Sequence, residues 1–307
     1  MANIFKRPSR QWKLTVSQKG NGQFQTLQAA IDCAATFDGG CEILIEEGIY
    51  EEMVKIYSDR LSLIGNGNVR ITAEQAATHT DKQGNQLGTF RTATVFINGK
   101  DIYFENIHIV NRAGNGNEVG QAVAAYFEGT NLRFVSCIFD AHQDTLCFGP
   151  LPKKTKEGTA LKSPWVRRLY SVQKSIFFHC RIQGTVDFIF GGGTALFDSC
   201  KIHCKSSPQT NFIAAASTAC NQEGFTFVDC HISGDKEYYL GRPWRNYART
   251  TFKNCRFDHH LIDSGWSDWQ RPHESVTFCE ENCLYAKPPL RDSWITIKGA
   301  RYGETKN

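Results

Sequence analysis

Two aspartates stand at the same distance behind a recurring landmark. Asp144 lies seven residues after Cys137, and Asp187 lies seven residues after Cys180. If the two cysteines mark equivalent points of neighbouring repeats, the carboxylates sit side by side, roughly 5 Å apart at the spacing of paired strands. Two carboxyl groups that close do not both ionise readily, so one keeps its proton while the other is an anion. That is the division of labour between an acid and a nucleophile. A lone aspartate at a chain corner normally just caps backbone groups. Two in register, the second flanked by Val186, Phe188, Ile189 and Phe190, point to chemistry instead. Further on, Gly241-Arg242-Pro243-Trp244 offers a guanidinium that would hold a carboxylate ionised and an indole of the kind sugar rings stack on. Gln121 and Gln143 carry amides able to donate to a developing oxyanion, although chemistry alone does not set them apart from surface glutamines.

Other chemistries find little support. Nine histidines are scattered, and His259-His260 lacks a third partner at metal-ligand spacing. His142 has no serine or cysteine indicated as a nucleophilic partner. No Gly-x-Ser-x-Gly elbow, phosphate-binding lysine loop or dinucleotide fingerprint occurs, and Gly191-Gly192-Gly193 reads as a tight corner. No metal-ligand spacing and no cofactor-binding fingerprint stands out. A close pair of carboxylates fits an esterase or a glycosidase, and the residues alone do not separate the two.

Elements that hold such a pair in register must repeat, and the chain does. Phe134-Val135-Ser136-Cys137 recurs as Phe177–Cys180, Phe197–Cys200, Phe227–Cys230 and Phe252–Cys255. Phe104–Ile107 and Phe278–Glu281 read as outlying copies without the cysteine. Short alternating strands at irregular intervals of 20 to 43 residues do not make a helical repeat. They fit the coils of an all-β, right-handed, single-stranded parallel β-helix, with insertions emerging as loops. Equivalent cysteines on adjacent coils then fall within Cα reach of one another, and Cys180–Cys200 is the disulfide expected first. The apolar spacing 27, 30, 31, 34 behind Thr26 predicts a short helix, capped by Thr26, that closes the solenoid's open end. Glu74–Thr92 and Gly149–Arg168 are long, polar and irregular, and read as loops walling a groove. No linker-like shift in composition divides residues 1–307, so one domain is expected.

Composition agrees. The 307 residues are 41% hydrophobic, enough for a sizeable core, and no apolar run approaches the ~20 residues of a spanning helix. Thirty-five basic against 31 acidic residues give a net charge of +4. The basic residues are dispersed, which argues against a nucleic-acid partner. Twelve cysteines without a Cys-x-x-Cys pair suggest disulfides and an oxidising, extracellular setting. Met1 to Lys6 contain no apolar signal region, so the expectation is a mature secreted chain with Met1 an added start.

From about Thr15 to Gln270 the chain resembles the pectin methylesterase (pectinesterase) family. The markers are Gly48-Ile49-Tyr50-Glu51-Glu52, Gln121-Ala122-Val123-Ala124, Gln143-Asp144-Thr145-Leu146, Gly184 to Gly191 and Tyr239 to Trp244, in order. The entry run Gly20 to Thr26, and Gly265-Trp266 with Trp269, also look like the family. The resemblance implies hydrolysis of galacturonate methyl esters in pectin (homogalacturonan), with release of methanol. It implies Asp187 as nucleophile, Asp144 as acid and then base, Gln121 with Gln143 at the oxyanion, and Arg242 orienting Asp187. Trp244 and Phe190 would line the sugar subsite. The resemblance implies neither a metal nor an organic cofactor. The family usually carries Tyr where Cys147 stands, and Phe148 is the expected substitute. A related ester or thioester hydrolase, or a pectin-binding β-helix without activity, are the alternatives. A lyase on the same scaffold would need calcium-binding acidic clusters, and none is visible near Asp144 or Asp187. A monomer acting on the polysaccharide, away from membranes, is expected.

Overall fold

Within each repeat the phenylalanine and the cysteine point inward on either side of a backbone corner. The residue just before the cysteine makes that corner. Ser136, His179, Ser199, Asp229, Asn254 and Asn282 all take φ between 51° and 54°, as does Asn106 at 55° ahead of Ile107. This left-handed conformation costs an L-residue roughly 1–2 kcal/mol, least for Asn and Asp, and it swings the chain from one strand into the next. The computed structural model describes residues 6–155, 158–220, 222–270 and 272–303; Met1 to Phe5, on which the leader expectation partly rests, lie outside them.

Each coil therefore has three strands. Lys174–Phe178, Arg181–Gly184 and Ile189–Gly191 form one coil, and Thr194–Asp198, Lys201–Cys204 and Asn211–Ala216 form the next. Equivalent strands pair in parallel from coil to coil. The third strands build a sheet of seven among the described residues, from Val54–Ile56 to Tyr238–Pro243. This is the right-handed parallel β-helix expected from the repeat.

Register is visible in the core. Phe134, Phe177, Phe197, Phe227 and Phe252 stack ring on ring, with centroids 4.7, 4.7, 4.6 and 4.4 Å apart and planes within 14°. Phe104 joins the column opposite Phe134, tilted at 5.4 Å. Phe278 does not. Glu280, not Phe278, pairs with Phe252, so this copy is displaced by two residues. The slot instead holds a buried group in which Glu280 accepts from Trp266, Tyr285 and Arg291 at 2.8–3.0 Å.

The cysteines also stack, but as thiols. All twelve are free, which corrects the disulfide expectation and the Cys180–Cys200 bridge. The reason is orientation. Equivalent residues on parallel coils point the same way, so their Cβ atoms stay about a strand spacing of 4.8 Å apart. A disulfide needs roughly 3.5–4.5 Å between Cβ atoms and converging side chains. Each thiol donates instead to the coil before: Cys180 to Phe134 O, Cys200 to Phe177 O, Cys230 to Phe197 O, Cys255 to Phe227 O and Cys283 to Phe252 O, at 3.4–3.5 Å. The recurrence of Phe and Cys three residues apart is thus one hydrogen-bonding unit, repeated.

Helix α1 (Leu27–Ala34) buries Leu27, Ala30, Ile31 and Ala34 against the first coil, as the spacing predicts. Its N-terminus is not capped by the Thr26 side chain. Glu52, 26 residues on, accepts from the backbone N–H of Leu27 and Gln28 at 2.8 and 3.0 Å.

Candidate active site

Asp144 and Asp187 each lie two residues before a strand of the seven-stranded sheet, ahead of Leu146 and Ile189, which pair directly. Asp144 N–H donates to Val186 O at 3.1 Å, and Leu146 N–H to Phe188 O at 2.8 Å, so the register holds through the aspartates themselves. Both have positive φ, 67° and 50°, at the corner where the chain enters the strand. Strain of this kind persists only where surrounding structure enforces it. The coil stack supplies that enforcement.

The two carboxyls have different surroundings. Arg242 holds Asp187 with a two-pronged pair, Nε to Oδ1 at 2.8 Å and Nη2 to Oδ2 at 2.7 Å. Such a fork favours the carboxylate and leaves lone pairs on both oxygens for other contacts. Asp144 is buried. Burial first, and then the neighbouring Asp187 charge, push its pKa well above the usual carboxylate range, and Arg242 offsets this only partly. Burial and the neighbouring charge thus favour a proton on Asp144, while the Arg242 fork favours the anion of Asp187.

Arg242 is itself gripped. Its guanidinium lies between Phe212, 4.0 Å from the ring centroid, and Trp269, 3.9 Å away. Trp269 takes φ of 55° and Gln270 of 54°, two consecutive left-handed residues that aim the indole at the arginine. Neither ring was assigned a role from sequence. Phe212 sits in an apolar run with no distinguishing signal, and the only sign of Trp269 was its place in a late tryptophan-rich motif.

All seven residues singled out from sequence line one cleft of about 360 Å³: Gln121, Gln143, Asp144, Asp187, Phe190, Arg242 and Trp244. Gln143 fits because Gly116 has no side chain; a Cβ there would stand 2.6 Å from Gln143 Cβ. Phe190 and Trp244 meet edge to face at 5.7 Å. The two long loops do wall the cleft, through Thr89 and Phe90 from the first and Thr155 and Leu161 from the second. Cys147 is fully buried and Phe148 points into the core against Phe127 and Phe177, so Phe148 does not stand in for the usual tyrosine.

His142 faces Lys205 Nζ at 3.4 Å, not a nucleophile, and burial together with that cation lowers its pKa. Among the described residues, Asp258, His259 and His260 bring three potential metal ligands together, supplying the third partner that sequence spacing did not show. None of them lines the cleft. The Asp258 carboxylate accepts from Gly234 N–H, Tyr238 OH and His260 N–H, which is a structural task.

A parallel β-helix with two close carboxyls of opposite character in one cleft fits a hydrolase, esterase or glycosidase alike, and the relatives separate the two. The Pectinesterase family model matches residues 13–149 and 165–285. Pectinesterase QRT1 of Arabidopsis thaliana is 34% identical over 286 residues, covering 88% of this chain and 68% of its own length. Pectinesterase 31 of the same plant is 31% identical, covering 88% and 81%. Among solved structures, pectin methylesterase from carrot superposes with a TM-score of 0.77 at 24% identity, covering 98% and 91%. A pectin methylesterase in complex with a hexasaccharide superposes at 0.75 with 25% identity, covering 97% and 94%. The chain belongs to the pectinesterase family.

Proposed function

We propose that this enzyme removes methyl esters from the galacturonate units of pectin with Asp187 as nucleophile and Asp144 as acid and base. A carboxylate oxygen of Asp187 attacks the ester carbonyl carbon, and the carbonyl oxygen takes the negative charge. Gln121 and Gln143, on the same wall, donate to that oxyanion. As the tetrahedral intermediate collapses, Asp144 gives its proton to the methoxy oxygen and methanol leaves, with the acyl group now on Asp187. Water then loses a proton to the Asp144 carboxylate and attacks the acyl carbon. The C–O bond to Asp187 breaks, the galacturonic acid leaves, and both aspartates return to their starting states. Arg242 orients Asp187 throughout, while Trp244 and Phe190 pack against the sugar.

The observation that carries this assignment is the in-register pair with one member forked by Arg242 and the other buried, which favours its protonated form. Trp244 stays in the cleft, which favours a sugar over an aliphatic thioester. The hexasaccharide held by one structural relative supports an oligosaccharide-length site here. The whole chain works as one domain and as a secreted monomer, without nucleic acid or membrane; no helix among the described residues is long and apolar enough to cross a membrane. The test is methanol release from highly methylated pectin by the intact protein and by Asp187→Ala. Methanol from the intact protein alone, without chain shortening, is expected. Equal release by both would remove Asp187 from the role.

A further inference from the structure

The family pattern matches on both sides of residues 150–164 and not within them. Those residues belong to the longest interval between the phenylalanines of the repeat, the 43 positions from Phe134 to Phe177. Their placement bears on the groove. Successive strands of the seven-stranded sheet present Phe96, Tyr126, Cys147, Phe190, Ala215 and Arg242 at corresponding positions. This row is a floor running along the stack. From Phe190 to Arg242 it is the floor of the cleft. From Phe96 to Cys147 it is wholly buried.

What buries it is the segment following Phe148. Leu151, Trp165 and Val166 pack on the cluster that holds Phe96, Tyr126 and Cys147 and continues to Phe190 and Ala215, while Tyr57 meets Phe96 and Phe90 meets Tyr126. The Trp165 ring stands edge-on to Phe96 at 5.5 Å, with Lys55 Nζ on it at 4.1 Å. The cover is fastened at its end. Asn98 Oδ1 accepts from Arg167 and Arg168 N–H at 2.8 and 2.9 Å, and Asn98 Nδ2 donates to Arg168 O at 2.8 Å. Arg168 forks onto Asp59 at 2.7 and 2.9 Å, and Arg167 lies 3.6 Å over Tyr57. Near its start, Lys154 O accepts from Arg245 Nη2 at 2.9 Å, across the cleft.

A polysaccharide lying along this floor meets a packed wall that begins on the coil of Asp144, whose following strand carries Cys147, and continues over Tyr126 and Phe96. We propose that this strap, with Trp165 as its main filler, ends the groove and makes the enzyme act at chain ends and on short oligogalacturonates. Trp165 and Leu151 thereby determine specificity without touching the reacting atoms. The idea rests on the methylesterase reading above and deepens it.

The test uses fully methylated hexagalacturonate and long, highly methylated pectin at equal ester concentration. Methanol release gives the rates, and fragmentation mass spectrometry gives the position of the first ester lost. The expected result is one fixed position relative to one end of the hexamer, and a kcat/KM per ester about tenfold or more higher for the hexamer than for the polymer. Trp165→Ala is expected to narrow that ratio by raising polymer turnover. Scattered first positions with equal rates for polymer and hexamer in the unaltered enzyme overturn the proposal, whatever the variant does. No methanol from either substrate overturns the esterase reading itself, and this inference with it.

Discussion

Asp144 has to be buried enough to hold a proton and close enough to Asp187 to use it. Both conditions raise its pKa, so catalysis should fail as pH rises and this proton is lost. Replacing it by Asn should lower kcat by about 10²–10⁴-fold, measured as methanol release. The same group also reports on stability. Its folded-state pKa is raised, so its stabilising contribution is complete below the unfolded value of about 3.9 and lost as pH rises through the folded value. Asp144→Asn should therefore melt higher than the parent at alkaline pH and much the same near pH 4, as thermal scans across pH will show. A larger gain in acid than in alkali would contradict the burial argument. The side-by-side placement of Asp144 and Asp187 was legible in the sequence because an equal offset from a repeating cysteine is a register statement. The grip of Phe212 and Trp269 on Arg242 was not, because it depends on a left-handed backbone that no residue type announces.

At the scale of elements, the columns of Phe and Cys do the work that cross-links do in many solenoids. Phe197 is sandwiched between Phe177 and Phe227, and its replacement by Ala should cost about 3–5 kcal/mol in urea unfolding. Because the thiols donate to carbonyls and form no bridges, dithiothreitol should leave the melting temperature unchanged. A fall of several degrees would show that bridges do hold the fold. The sequence displayed the column but not its chemistry: Cα spacing permitted bridges, and only side-chain direction excludes them. Glu52 as the cap of α1 was equally hidden, since a partner 26 residues away leaves no local pattern. Glu52→Ala should cost about 0.5–2 kcal/mol, the range seen when a helix cap is lost, read from the urea midpoint.

For the molecule as a whole, the aromatic column gives way to a buried charge at Glu280, with one further set of strands stacked beyond it. The Glu280 side chain is fully buried, and that of Arg291, its partner, is 3% exposed. Removing the arginine strands the carboxylate, so Arg291→Met should destabilise the protein by about 3–5 kcal/mol, read from the denaturation midpoint. The sequence suggested another aromatic rung at Phe278; a displacement of two residues puts Glu280 in that place instead. The parallel β-helix itself was readable, since its repeat survives every insertion. The strap was not, because one-off packing has no period. Finally, the left-handed corner residue recurs with nearly the same φ from Asn106 to Asn282. Each coil from Asn106 to Asn282 thus turns through an identical joint between its first two strands. Genetic duplication or loss between two such joints adds or removes one full turn while leaving the rest in phase. The reach of the binding surface can evolve by whole turns, and the pair that does the chemistry, spanning only two of them, is carried along undisturbed.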